Sequence, residues 1–332
     1  MAYTDFKALS FETLCERLCE KKNTLIVFHS RPDADAVGSA FALRDLLCAM
    51  GINAICASSD EVPERLSFLA EDVQGSVLLD DLATGHERVI SVDSASPSQL
   101  GSLFDRLRKD IDIMIDHHGV GTVYADNYIR PDAAATGEII FDIAEWLLEN
   151  GRVAYIPQRA YNCLYAAISS DTGSFRYANT TPKTHACAAK LIELGVDVAE
   201  VNHRLFESKS LKQIKAEGEA TRRLTVYEKG RVASVTFPYS AVFSLGLTEE
   251  HLGTLIDVPR SLTGVEVAMV IKQTEDRGTL RVSMRSNTDF DVSAVCARFG
   301  GGGHARAAGC SIEAANVEEA EKMLLSVIRE KL

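Results

Sequence analysis

Short apolar runs rich in β-branched residues alternate with helix-period stretches through the first half of this chain, and that alternation restricts the fold more than any other feature. Residues 25–28, 52–56, 89–92 and 111–115 read as buried strands, and between them lie segments such as residues 36–50, closed by Gly51, with helical spacing. Strand and helix in alternation predict an α/β domain, its mostly parallel sheet covered by helices on both faces. Ligands of such sheets bind beyond the C-terminal strand ends.

The residues that end these runs are chemically unusual. His29 follows the first, with Asp33 and Asp35 close behind it in HSRPDADAVGS; Asp93 closes VISVD, and Asp116, His117 and His118 close IDIMIDHH. A single aspartate at a strand end is ordinarily a helix N-cap or a loop acid. Caps need no histidines beside them, however, and carboxylates gathered at neighbouring strand ends strand charge unless something positive sits among them. A divalent cation meets that need. His29, Asp33, Asp35, Asp93, His117 and Asp171 offer oxygen and nitrogen without thiolate, a set suited to Mn²⁺, Mg²⁺ or Fe²⁺ rather than a structural zinc, with Mn²⁺ the first expectation.

The rest of the composition sets limits. At 332 residues two domains are expected. A net charge of −12 argues against wrapping long double-stranded nucleic acid but not against a short anionic substrate held locally. The eight cysteines form no CxxC pair, and Cys15 and Cys19 read as core residues. There is no signal-peptide pattern and no apolar run of the roughly 18 residues that span a bilayer, so a cytoplasmic protein without membrane contact is expected.

Helical segments follow at residues 133–150, 158–169, 182–194 and 198–206, and then a polar, charged stretch, SLKQIKAEGEATRRL. The pattern changes after it to strands at residues 232–237, 265–273 and 278–284. The predicted organisation is a catalytic domain at 1–207, a helical linker at 208–224, and a smaller α/β domain at 225–332, with a cleft between the domains. Late in the second lies the run from Gly300 to Gly303, followed by His304 and Arg306 ahead of a predicted helix. Composition alone reads it as a flexible turn.

HSRPDADAVGS, VDSAS, IDHH and AAISSDTGSFRY, in that order, resemble the four motifs of the DHH phosphoesterase superfamily, and RPDAAATGEIIFDI and SDTGSFRYANTTPKTHACAAKLIELG its helical signatures. FGGGGHARAAG and VSMRSNTDFDVS are similar to the DHHA1 domain that accompanies it. The resemblance implies two divalent ions, Mn²⁺ or else Mg²⁺, Fe²⁺ or Co²⁺: His29, Asp33 and Asp93 on one, Asp35, Asp93, His117 and Asp171 on the other, with Asp93 bridging. Two such ions activate a water and clamp phosphoryl oxygens during in-line attack. It further implies catalytic roles for His118, touching the scissile phosphate and donating a proton, and for Asp116 behind it; the alternative for His118 is to orient Asp116 or a ligand. Arg285, Ser286, Gly301, Gly302, Gly303, His304 and Arg306 would bind the substrate's distal nucleotide or phosphate. Arg285 could instead be a solvated strand-end arginine. Ala34, where the family commonly has glycine, and VDSAS, in place of the usual VDTA-type motif, depart from the pattern without removing a ligand.

Neither the SRKKQ-type motif of family II pyrophosphatases nor room for the OB-fold of the long-strand exonucleases is present. The chain looks most like the bacterial nanoRNases. That branch implies hydrolysis of two- to five-nucleotide RNAs to mononucleotides and of 3′-phosphoadenosine 5′-phosphate (pAp) to AMP, in a homodimer. The alternatives are a phosphodiesterase for cyclic di-AMP or pApA and, in another class, a nucleotide-binding regulatory module without activity, which the complete ligand set disfavours.

Overall fold

A computed structural model describes residues 6–70, 85–275 and 278–332. The chain divides into two compact units, Met1–Ser208 and Lys209–Leu332.

The first unit runs through α1 (Phe11–Leu18), β1 (Thr24–Phe28), α2 (Ala34–Ala49), β2 (Ala54–Ala57), α3 (Ser67–Ala70), β3 (Arg88–Val92), α4 (Ser102–Leu107), β4 (Ile111–Asp116) and β5 (Asp126–Ile129). It ends with α5 (Thr136–Glu149), α6 (Gln158–Asp171), α7 (Pro182–Glu193) and α8 (Val198–Asn202). The five strands pair in parallel in the order β2-β1-β3-β4-β5. Strand addition reverses at β1, so the C-terminal ends of β1 and β3 border the point where crossovers diverge and leave a crevice. β5 escaped the sequence reading because its segment, DNYI, carries no apolar run; it is an edge strand with only Asn127 buried.

Period-two alternation sorts β1 onto two cores. Ile26 and Phe28 pack with residues of α1, α2, α5 and α6, whereas Leu25 and Val27 face Leu103 and Leu107 of α4. Helices therefore cover both faces, as the buried run predicted. Cys15 lies in the larger core with Cys19 packed against it, which accounts for both. Within that core α2 and α6 approach closely at Gly38, where a Cβ would stand 2.4 Å from the Cys163 carbonyl oxygen. Glycine there lets the start of α2 and the end of α6 converge.

The second unit runs through α9 (Leu211–Arg222), β6 (Thr225–Tyr227), β7 (Val232–Phe237), α10 (Tyr239–Leu245), α11 (Glu249–Gly253), α12 (Asp257–Arg260), β8 (Val267–Lys272), β9 (Leu280–Ser286), α13 (Val292–Cys296), β10 (Gly302–His304), β11 (Ala307–Ile312) and α14 (Val317–Arg329). Its six-stranded sheet has the order β10-β11-β9-β8-β7-β6, antiparallel except for the β7–β8 pair. One face packs on α13 and α14, the other on α9 to α12. Two expectations change here. The polar stretch read as a linker is α9, and it belongs to this unit: Ala216 and Ala220, one turn apart, are buried in its core. The segment after Arg306 is strand β11 rather than a helix, because its alternate residues Ala308, Cys310 and Ile312 pack under the sheet. Among the described residues, no helix is long and apolar enough to cross a membrane.

Candidate metal centre

The residues singled out at three strand ends meet at the C-terminal edge of the parallel sheet. His29 leaves β1, Asp93 leaves β3, and His117 and His118 leave β4, while Asp33 and Asp35 come from the first turn of α2 and Asp171 from the last residue of α6. They fall into triads. His29, Asp33 and Asp93 have ligand atoms within 4.8 Å of one another, and so do Asp35, His117 and Asp171. Asp93 belongs to both sides: its Oδ2 lies 3.7 Å from His29 Nε2 and its Oδ1 3.8 Å from His117 Nε2. Asp33 Oδ1 lies 3.7 Å from His29 Nε2, and on the other side Asp35 Oδ2 and Asp171 Oδ2 lie 3.8 and 3.3 Å from His117 Nε2.

Each histidine is turned by a second contact. His29 Nδ1–H donates to the Ser30 carbonyl at 2.8 Å and His117 Nδ1–H to the Ala133 carbonyl at 3.3 Å. Both rings thus turn Nε2 toward the carboxylates, the nitrogen that offers its lone pair to a cation once the ring is neutral. His118 is turned the other way. Its Nδ1 and backbone N–H both meet Asp116 Oδ1, at 2.7 and 3.0 Å. Asp116 is wholly buried.

The acids are fixed as firmly. Asp33 Oδ1 accepts from the N–H groups of Asp35 and Ala36, so this residue is the N-cap of α2 as well as a candidate ligand. Ala34 begins α2 with ordinary helical backbone, and glycine is not required there. Asp35 accepts three hydrogen bonds, from Thr136 N–H, Gly137 N–H and Ser39 Oγ. Thr136 Oγ1 donates to Asp93 Oδ1 at 2.9 Å. Asp93 itself has φ 54°, a left-handed backbone costly for most residues but open to aspartate. Thr136 and Ser39 were not foreseen, since a hydroxyl in a helical segment carries no chemical signal until its neighbour is known.

Electrostatics shows how the acids crowd one another. Burial, and then the charges of Asp35 and Asp33, push the Asp93 carboxyl well above its ordinary range; burial and the same crowding do so for Asp171, and burial leads again for Asp35. His29 is pushed up to about 10: burial opposes its charge, but Asp33 and Asp93 outweigh it. Carboxylates that crowd one another in a partly buried oxygen–nitrogen cage, with imidazole Nε2 atoms turned inward, fit hard or borderline divalent cations.

Residues 23–168 match the description "DHH family, N-terminal domain", and residues 234–330 match "DHHA1 domain". The chain belongs to the DHH/DHHA1 family. Its DHH triplet is Asp116, His117 and His118 at the end of β4. The chain is 28% identical over 308 residues to the bifunctional oligoribonuclease and PAP phosphatase NrnA of Thermus thermophilus, covering 92% of this chain and 89% of that protein. It is 27% identical to the cyclic-di-AMP phosphodiesterase GdpP of Geobacillus thermodenitrificans over 96% of this chain but only 49% of GdpP. In fold it is similar to the crystal structure of an exopolyphosphatase-related protein from Bacteroides fragilis, at TM-score 0.86 and 20% identity, covering 96% of this chain and 95% of that one.

In the DHHA1 unit the glycine run is not a flexible turn. Gly302, Gly303 and His304 form β10, paired with Gly309, Ala308 and Ala307 of β11. Gly301 is required by packing, since a Cβ there would stand 2.2 Å from the Gly309 carbonyl oxygen, whereas a Cβ at Gly302 would meet nothing within 4 Å. Ala307 pairs with His304 on one side and Arg285 on the other, so Arg285, Ala307 and His304 form one row across three strands and share a face. Arg306 pairs with exposed Asp289 at 2.6 Å. Ser286 is buried, and its hydroxyl is engaged with the backbone of Thr288.

Proposed function

We propose that this chain is a metal-dependent phosphoesterase that hydrolyses RNAs of two to five nucleotides to mononucleotides and dephosphorylates pAp to AMP in the cytoplasm. The observation that carries the phosphoesterase reading is Asp93, which presents one oxygen to the His29 triad and the other to the His117 triad. His29, Asp33 and Asp93 would hold one ion, and Asp35, Asp93, His117 and Asp171 the other, with Mn²⁺ preferred for a mixed imidazole–carboxylate set. When bound, such ions supply Lewis acidity toward phosphoryl oxygens and lower the pKa of water.

The protein's own groups do the rest. Asp116 holds the His118 ring through Nδ1 and favours its protonated form, pushing it up to about 9 against the opposing effect of burial. His118 is then suited to donate a proton from Nε2 to the leaving oxygen. On the DHHA1 sheet the row of Arg285, Ala307 and His304 flanks the small residues Ser283, Gly309 and Gly302, which sit in the neighbouring row of the same face. A guanidinium and an imidazole beside a low floor suit a nucleotide's phosphate and base.

Near end-to-end similarity to an oligoribonuclease and PAP phosphatase supports the short-RNA reading. Similarity across 96% of the chain to a cyclic-di-AMP phosphodiesterase favours a second reading, cleavage of cyclic di-AMP or pApA. Turnover of pAp, a labelled dinucleotide, pApA, cyclic di-AMP and a long RNA strand, measured side by side with Mn²⁺, separates them. The first reading expects pAp and the dinucleotide to be fastest. Fast cleavage of the long strand with none of the dinucleotide would sink it.

A further inference from the structure

The two sides of the centre meet at a residue outside both triads. Thr136, the first residue of α5, is wholly buried; its hydroxyl donates to Asp93 Oδ1 at 2.9 Å and its backbone N–H to Asp35 Oδ2 at 2.7 Å. We propose that Thr136 is a positioning residue that holds Asp93 in its bridging pose and thereby decides whether the His117 side of the centre retains its ion. This rests on the two-ion reading above.

A carboxylate that serves two cations must present one oxygen to each, yet the terminal torsion of aspartate is soft and a carboxylate can also turn both oxygens onto one ion. Asp93 is anchored at its backbone, where its N–H donates to the Ile115 carbonyl at 2.9 Å. The orientation of its carboxylate is a separate matter. The Thr136 hydroxyl bonds Oδ1, the oxygen on the His117 side, and leaves Oδ2 toward His29. Asp35, also on the His117 side, depends on the same residue's N–H. The His29 side is held elsewhere, by the Ser30 carbonyl and by the first N–H groups of α2. Removing one hydroxyl therefore acts on one side of the centre.

Thr136→Val keeps the branched shape and the backbone N–H but removes the donor; Thr136→Ser restores it. The test is Mn²⁺ binding to the purified full chain by titration calorimetry, with electron paramagnetic resonance reporting spin coupling between neighbouring ions. Wild type should take up two coupled ions. Thr136→Val should keep one at wild-type affinity and weaken the other at least about tenfold, the range seen when an outer partner of a metal ligand is lost, with the coupling signal diminished. Thr136→Ser should lie close to wild type. Unchanged affinities in Thr136→Val, equal weakening of both sites, or a serine variant no better than valine would each overturn the inference. Should valine prevent folding, Thr136→Ala, which adds no bulk, is held to the same criteria. Wild type binding fewer than two ions would overturn the two-ion reading, and the inference with it.

Discussion

Asp35 and Thr136 are 101 residues apart in the chain, yet the Asp35 carboxylate takes the place of a helix N-cap for α5, accepting the Thr136 N–H at 2.7 Å. Its other oxygen accepts the Gly137 N–H at 2.9 Å. Ala135, the cap residue that α5 itself supplies, has no side-chain acceptor. An acid at the positive end of a helix gains about 0.3–1 kcal/mol, and up to about 2 where it is partly buried. The fold thus uses a candidate metal ligand to finish a helix, and the helix in turn offsets part of what burial does to that ligand.

Asp93→Asn should separate stability from function. Asparagine tolerates the left-handed backbone at φ 54°, but one carboxylate disappears from between the two triads. We expect activity to fall by at least about a hundredfold, the upper end of what losing an outer partner of a ligand does. The chelated variant should melt above chelated wild type, because a buried charge crowded by Asp35 and Asp33 has gone. Thermal melts in chelator check this, and a lower melting temperature counts against the crowding.

Metal removal should invert the pH dependence of stability. Asp93, Asp171 and Asp35 have carboxyl pKa values raised in the metal-free fold, so between the ordinary carboxylate value and the raised one the folded state binds more protons than the unfolded state. Their contribution is therefore fully present at low pH and is lost as pH rises through that window. Cation binding needs the deprotonated forms and strengthens with pH. The gain in melting temperature given by saturating Mn²⁺ should be larger near pH 7.5 than near about pH 5, and Asp171→Asn should reduce the difference. An equal gain at both pH values would remove the linkage.

His118→Asn tests the proton donor. Loss of a general acid costs on the order of 10²–10⁴ in rate, so kcat should fall within that range while Mn²⁺ remains bound and KM changes little. The loss should shrink with a 4-nitrophenyl phosphodiester, whose leaving group departs as a stable anion without a proton. If the variant loses Mn²⁺ in calorimetry, His118 acts as a ligand instead.

Gly38→Ala tests the convergence of α2 and α6. The added methyl would stand 2.4 Å from the Cys163 carbonyl oxygen, and overpacking of that kind costs about 1–3 kcal/mol. Forcing the helices apart also moves Asp35 away from Asp171. A lower midpoint in urea should come with weaker Mn²⁺ binding; a variant as stable as wild type would mean the helices have room to give.

Arg285→Ala should raise KM for pAp and dinucleotide with kcat nearly unchanged, because the residue lies on the DHHA1 sheet rather than in either triad. Lysine should rescue poorly, since it lacks the planar fork that grips phosphate. A fall in kcat at constant KM would give Arg285 a different role.

Much of this was legible in the chain. The strand–helix alternation predicted the parallel sheet, because burial on both faces demands continuous apolar runs such as TLIVF and RVISV. The candidate ligands stood out because histidines beside acids at strand ends have few structural uses. β5 was not, having no apolar run, and β11 was mistaken because AAGCSI carries its apolar residues too sparsely to separate period two from a helix. α9 looked like a linker because two buried alanines leave little trace amid charged neighbours.

The sequence by itself determined which groups could hold a cation: two histidines and four aspartates, their order along the chain and, for all but Asp171, the strand ends they follow. It did so because side-chain chemistry is a local property. Only the tertiary structure decided how Asp93 is shared, with one oxygen toward each triad, and that Thr136 stands behind both Asp93 and Asp35. Those facts depend on the orientation of one carboxylate and on the distance from α2 to the first turn of α5. Contacts between residues about a hundred positions apart are set by packing, which no local pattern records.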